Sequence, residues 1–265
     1  MTTNARSVVH AANSHSLLGG PIDHMPQLLR ESYALRYQVY CRERTFLSPE
    51  GYPNRLEVDE FDRHSIHVGA VDALGALAGT ARVVKPSEMG FPLFRHCRTF
   101  PHETEFHGRN TRLVEVGRLA VSRSYTRPDD GLDGAGERRR GREDVFLTLL
   151  KALYQQSKRL GATHWLAATE ASLQRLLAQH GFPFRAIGPD TDYFGVVTPY
   201  TLDLKEFDSV ILSRRFPVLD RFLIGLEPEF SPRPDVAGDE HELAYGFGGS
   251  THASGASLGD ASHGC

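Results

Sequence analysis

Glu115 and Arg118, a carboxylate and a guanidinium three residues apart, interrupt the apolar run from Leu113 to Val121, with Gly117 between them. Successive strand side chains point to opposite faces. Alternation therefore sets Leu113, Glu115, Gly117 and Leu119 on one face and Val114, Val116, Arg118 and Ala120 on the other. Ionic groups in mid-strand are costly to bury unless they are paired or used. Three kinds of chemistry suit this trio. A desolvated carboxylate serves as a base. A bulge at the glycine turns backbone N–H groups out of the ladder, where they can meet an oxyanion. The guanidinium fork matches a carboxylate bidentately. The plainer alternative is an edge strand carrying a surface salt bridge.

Other charged residues stand where they could serve the same chemistry. Arg36, Tyr40 and Glu43 fall at i, i+4 and i+7 and share a helix stripe. Asp59 and Asp62 lie in Glu57-Val-Asp-Glu-Phe-Asp62, without the oxygen-rich loop a calcium site needs. Arg82 ends Gly79-Thr-Ala-Arg82 inside an apolar stretch. The run Arg138-Arg139-Arg140-Gly-Arg142 precedes a helix, an arrangement that favours anions. The chain has 13 His, but no His-x-x-x-His pair lies on a predicted helix, and no metal is expected. Cys41, Cys97 and Cys265 are too widely spaced for a disulfide framework or a metal knuckle and read as reduced thiols.

The elements that must position these residues follow from periodicity. Apolar spacing predicts a helix over Pro26 to Phe46. Two strands, His64 to Val71 and Ala76 to Val84, read as a hairpin joined by Asp72-Ala-Leu-Gly75. Residues 86 to 111 read as a long loop with one helical turn, and the central strand occupies 112 to 122. Arg123 to Arg142 reads as a basic loop ahead of an amphipathic helix, Glu143 to Leu160, ended by Gly161. A buried strand His164 to Ala168, a helix Glu170 to His180, strands Phe182 to Ile187 and Val196 to Leu204, and helical segments over 206 to 227 complete the chain. Residues 1–22 are expected to form a flexible arm, 23–231 one domain, and 232–265 a disordered Gly-, Ser- and His-rich tail.

The totals narrow the functional class. At 265 residues the chain can bury a full core, and a net charge of -3 gives no footing for a nucleic-acid binder. No apolar run approaches the roughly 20 residues of a membrane span, and the first 20 residues lack a signal-peptide pattern, so a cytoplasmic location is expected.

The order helix, hairpin, central strand, loop, helix, strand, helix, strand suits a single α/β domain with a mixed central sheet flanked by helices. Arg36-x-x-x-Tyr40, Glu57-x-Asp59-x-x-Asp62, Arg82 and Glu115-x-x-Arg118 resemble the charged framework of the autoinducer (acyl-homoserine lactone) synthases, which have a GNAT-like fold. Tyr40 stands where those enzymes usually carry Phe, and Gly117 where they often carry Ser. The second half is similar to the acyltransferases associated with the PEP-CTERM/exosortase system and to long-chain N-acyl amino acid synthases. The residues that carry it are Gly161-Ala-Thr-His-Trp-Leu-Ala-Ala-Thr-Glu170, Leu173-x-x-Leu176, Gly188-Pro189, Tyr193-x-Gly195 and Pro199-Tyr200. Together the matches run roughly from residue 28 to 204.

The resemblance implies a GNAT-like acyltransferase fold and transfer of a long acyl chain from a phosphopantetheine thioester to the amine of an amino acid or similar small molecule. It implies acyl carrier protein rather than coenzyme A as donor, so that acyl-ACP or acyl-CoA is a co-substrate and no cofactor is permanently bound. Glu115 is then either the base that deprotonates the amine or a structural partner of Arg118 or Arg82. Tyr193, or Tyr200, would protonate the leaving thiolate. Arg36, Arg82 and Arg118 would hold a substrate carboxylate, with Asp59 and Asp62 positioning the arginines or the amine and Tyr40 on the stripe of Arg36. Val116, Gly117, Leu119 and Ala120 would meet the thioester arm, and Arg138, Arg139, Arg140 and Arg142 the donor's phosphate and an acidic carrier protein. Phe146, Leu149 and Trp165 are either core or the wall of a chain pocket. Two other readings stay open: an acyl-homoserine lactone synthase, which needs S-adenosylmethionine, and a non-catalytic acyl-binding module.

Overall fold

The computed structural model describes residues 17–101, 111–123 and 134–234, with side chains in the last segment from 141 onward. The chain divides into Met1–Arg233 and Pro234–Cys265, and the fold below is that of the first unit. The expectations for the arm up to residue 16 and for the tail from 235 lie outside the described residues.

Its strands are β1 (Leu18–Pro21), β2 (Ser65–Val71), β3 (Leu77–Val84), β4 (Leu113–Val121), β5 (His164–Thr169), β6 (Arg185–Ala186), β7 (Thr191–Asp192) and β8 (Val196–Asp203). They form one sheet in the order β1-β2-β3-β4-β5-β8-β6, with β7 paired to β8. All the pairings are antiparallel except β4 with β5. Strand β1 pairs Leu18 with Val71 through Pro21 with Val68, so part of the stretch expected to be a loose arm is a sheet edge.

The helices are α1 (Pro26–Tyr37), α2 (Pro92–His96), α3 (Gly134–Arg159), α4 (Ala171–Gln179), α5 (Leu204–Leu212) and α6 (Pro217–Leu223). The predicted first helix does not stay α-helical to residue 46: Gln38–Glu43 widens into a π turn, closed by Arg44 N–H donating to the Val39 carbonyl at 2.9 Å. Such turns cluster at functional sites because they displace one side chain from the regular stripe. The basic segment expected to be a loop up to residue 142 is helical from Gly134, since Glu and Arg are good helix formers.

Helix α3 packs on β1 to β4. It comes so near that a Cβ on Gly79 would lie 2.6 Å from Val145 Cγ1, so only glycine fits there. One core gathers Val145, Leu149, Leu153 and Trp165 with the rings of Tyr154, Phe182, Phe207 and Phe222. A second cluster joins Phe61, Val84, Phe91, Leu93, Cys97, Leu166 and Ile187. Cys41 and Cys97 are buried free thiols.

Candidate active site

The two central strands part company halfway. Parallel pairing of β4 with β5 runs through Leu113 with His164, Val114 with Trp165 and Glu115 with Leu166, and ends there. Beyond it β5 continues against β8 and β4 continues to Val121, leaving the β4 backbone from Val116 onward without a strand partner on its β5 side. A cleft of about 400 Å³ opens at this divergence, lined by Glu115, Gly117, Arg118 and Tyr193 among others. A narrower space of about 110 Å³ continues from it. Both share Tyr40, Val116, Gly117, Arg118, Leu119 and Leu173, and the inner one ends against Phe146, Leu150, Leu153, Trp165, Leu177 and Phe184. Phe146 and Trp165 thus wall an apolar pocket, while Leu149 packs in the core instead.

The bulge expected at Gly117 exists, but its strained residue is the next one. Register jumps from Thr80 opposite Ala120 to Arg82 opposite Gly117, so Arg118 and Leu119 together stand across from Ala81. Arg118 takes the left-handed conformation, φ 50, which costs a non-glycine residue about 1–2 kcal/mol. Ion pairs hold it there: Nε to Glu57 at 3.2 Å and Nη2 to Asp59 at 2.8 Å. The extra residue breaks the alternation, so Glu115 and Arg118 do not end on opposite faces; both line the cleft.

Glu115 sits in register between Val84 and Leu166, each 1% exposed or less, in the apolar second cluster. Its Oε2 accepts the Leu93 backbone N–H at 2.8 Å. Burial pushes the carboxyl up to about 7, against the opposing pull of that hydrogen bond and of the Arg82 and Arg118 charges. Among the described residues it forms no ion pair, so it is not the structural partner of Arg118 or Arg82.

Those arginines are engaged elsewhere. Arg36 donates to Glu57 at 2.5 Å and to both oxygens of Asp62 at 2.7 and 3.0 Å. Arg82 bonds both oxygens of Asp59 at 2.6 and 2.7 Å, and Asp62 at 2.6 Å. His67 bridges Asp23 at 2.8 Å and Asp62 at 3.0 Å. Burial alone would raise the Asp62 carboxyl; the His67 bond and the Arg36 and Arg82 guanidinium groups outweigh it and hold the group well below the carboxylate range. Breaking a buried pair by removing one partner costs about 3–5 kcal/mol. Arg36, Asp59 and Asp62 do not line the cleft, and Arg82 and Arg118 reach it with their forks turned to internal acids. Glu57, Asp59 and Asp62 thus occupy most of the guanidinium donors expected to hold a substrate carboxylate, Arg118 Nη1 being without a partner among the described residues, and Glu57, a motif residue given no role of its own from the sequence, is a full member of the network.

Tyr40 donates its hydroxyl to the Leu119 carbonyl at 2.9 Å, on the unpaired part of β4. Tyr193 lines the cleft with its ring stacked 4.0 Å from that of His96, and burial raises its phenol. Tyr200 pairs with Ala167 and Ala186 in β8 and does not line the cleft. Val116, Gly117 and Leu119 line both spaces, whereas Ala120 is buried beside them in the core. Arg142 is exposed on α3; the side chains of Arg138, Arg139 and Arg140 lie outside the described residues.

Residues from distant segments also reach the cleft and were not anticipated. Arg44, after the π turn, pairs with Glu170, at the start of α4, at 3.2 Å. Both line the cleft, as does Phe46, whose ring lies 5.7 Å from the Arg44 guanidinium. Thr169 Oγ1 is buried where the two spaces meet, with no hydrogen-bond partner among the described residues. Only the fold brings residues 44 and 170 together, and no local pattern announces either.

The fold has known counterparts. The model of the acetyltransferase (GNAT) domain matches residues 35–130, which hold the end of α1, the ionic network apart from Asp23, and β4. A CoA-dependent acyl-homoserine lactone synthase, BjaI, solved with SAM and isopentyl-CoA, is 19% identical with a TM-score of 0.50, over 77% of this chain and 90% of that one. TofI, solved in a ternary complex with an inhibitor and MTA, is 20% identical with a TM-score of 0.50, over 77% and 93%. FeeM, an N-acyl amino acid synthase from uncultured soil microbes, is 14% identical with a TM-score of 0.49, over 75% and 95%. No curated protein sequence matches the chain. The fold is GNAT-like, a mixed sheet flanked by helices. Among the described residues no helix is long and apolar enough to cross a membrane.

Proposed function

We propose that the protein is an N-acyltransferase that moves a long acyl chain from a phosphopantetheine thioester to the amine of an amino acid or similar small molecule. The observation that carries this reading is Glu115: a buried carboxylate raised to about 7, outside any described ion pair, at a cleft that continues into an apolar pocket.

An α-amine has a pKa near ~8 and is largely protonated at neutral pH. Glu115, matched to that pH, takes a proton from the ammonium directly or through a water, and the free amine attacks the thioester carbonyl. The oxyanion that forms accepts from N–H groups of the unpaired β4 backbone around Val116 to Leu119, and the amides of the pantetheine arm lie along the same edge as an added strand would. The tetrahedral intermediate gives the second amine proton to water in the open cleft, which returns one to Tyr193 once its own has gone to sulfur, and collapses. The C–S bond breaks, and Tyr193, held protonated by its burial, supplies a proton to the departing thiolate. The acyl chain occupies the pocket against Phe146 and Trp165. The cationic run ending at Arg142 supports acyl carrier protein as donor over coenzyme A, and the resemblance to PEP-CTERM/exosortase-associated acyltransferases and N-acyl amino acid synthases supports an amino-acid acceptor.

The test is lipid extraction and mass spectrometry after expression, and after incubation of the purified protein with acyl-ACP or acyl-CoA and amines. N-acyl amino acids are expected. An acyl-homoserine lactone would replace this reading with that of a lactone synthase, and acyl-donor binding without product would leave only a binding module.

A further inference from the structure

A carboxylate on the acceptor finds little vacancy within the buried network, where among the described residues only Arg118 Nη1 has no partner on the cleft side. Arg36 is sealed from the cleft, and Arg82 and Arg118 direct their forks at Asp59, Asp62 and Glu57. Arg44 differs in each respect. Its side chain is 48% exposed and lines the cleft, and it donates from Nη1 alone to Glu170 Oε2, at 3.2 Å. A single long bond to a part-exposed carboxylate is readily exchanged and leaves the other edge of the fork open. The Phe46 ring beside it steadies the guanidinium in place. Glu170, once released, remains at the N-terminal end of α4, where a helix stabilises negative charge.

We infer that Arg44 is the receptor for a carboxylate on the acceptor, with Glu170 as the internal carboxylate that occupies it until substrate arrives; the acceptor is an amino acid rather than a simple amine. This rests on the N-acyltransferase reading above. It also explains why a carboxylate already sits on a guanidinium at the cleft wall: the protein's own side chain has the chemistry of the group it makes way for.

Two substitutions break the same ion pair and separate a receptor from a strut. Arg44→Met keeps an apolar stem over Phe46, and Arg44→Gln serves if that variant does not fold by circular dichroism. Glu170→Gln removes the occupant and leaves Arg44 in place. Acyl transfer is followed by thiol release and mass spectrometry, with acyl-CoA and acyl-ACP, on the standard amino acids and on their decarboxylated amines. The wild type is expected to prefer the amino acid of each pair. Arg44→Met raises KM for amino acids about 10- to 100-fold, the range set by charge-assisted hydrogen bonds, with kcat and the KM for amines little changed. Glu170→Gln leaves the amino-acid KM unchanged or lowers it. Equal effects of the two substitutions, or a wild type indifferent to the carboxylate, overturn the receptor while acyl transfer stands. Absence of product from every amine overturns the acyltransferase reading and the receptor with it.

Discussion

Replacing Glu115 by Gln removes the charge that burial disfavours while keeping an oxygen to accept the Leu93 N–H. The carboxyl rises from an ordinary 4.5 to about 7, so the folded state binds the proton more tightly than the unfolded chain does. Stability contributed by this residue therefore falls as pH rises from about 4.5 to about 7, and the full cost is present above that window. A displacement of that size corresponds to about 3 kcal/mol at about 1.4 kcal/mol per pH unit. The variant should melt roughly 6 to 12 °C above the wild type at pH 8, at about 2–4 °C per kcal/mol for a domain of this size. At pH 5, where the native carboxyl is already protonated, the gap should shrink to less than about 1 kcal/mol. The same substitution should lower kcat/KM by about 10²- to 10⁴-fold and abolish the acid limb, which in the wild type has its midpoint near 7. Melts at pH 5 and 8 and a pH–rate profile decide the matter. A melting gap independent of pH, or an acid limb that survives the substitution, would refute the assignment of both the burial cost and the base.

The ionic network and the inner pocket yield three further expectations. Arg36→Met strands Glu57 and Asp62 in the interior and should cost about 3–5 kcal/mol by denaturant titration, far more than loss of an exposed pair. Tyr40→Phe removes the bond to the Leu119 carbonyl and should cost about 1 kcal/mol in a thermal melt. Leu173→Trp adds bulk where the cleft meets the inner pocket, and mass spectrometry of the products should show a shift towards shorter chains; an unchanged distribution would mean that the chain lies elsewhere.

Elements with a strong periodic signature were legible: the hairpin β2–β3, the central strand β4, the strand β5 and the helix α4 all lie close to where their patterns put them. The position of the cleft was legible too, since a mid-strand Glu with a nearby Gly in an apolar run lies both at the cleft and at the irregularity in the ladder. Partner choice was not. Nearness in sequence offers Arg118 as a partner for Glu115, whereas the fold supplies Arg118 with Glu57 and Asp59 and leaves Glu115 to a backbone amide. The face of Arg118 was equally hidden, because alternation assumes an unbroken ladder and the inserted residue at φ 50 violates it. Strand Phe182 to Ile187 shrank to Arg185–Ala186, and the two-residue β7 carried too few residues for any period to register.

The early end of the β4–β5 ladder also bears on how the molecule behaves in a crowd. A fork between two strands is a socket for any extended chain, and an apolar β segment from a neighbouring copy would find unpaired amides waiting in it. Glu115 and Arg118 face that opening, and a greasy intruder would have to be tucked in beside both. The groups assigned to chemistry thus also raise the cost of seating an apolar strand in the fork.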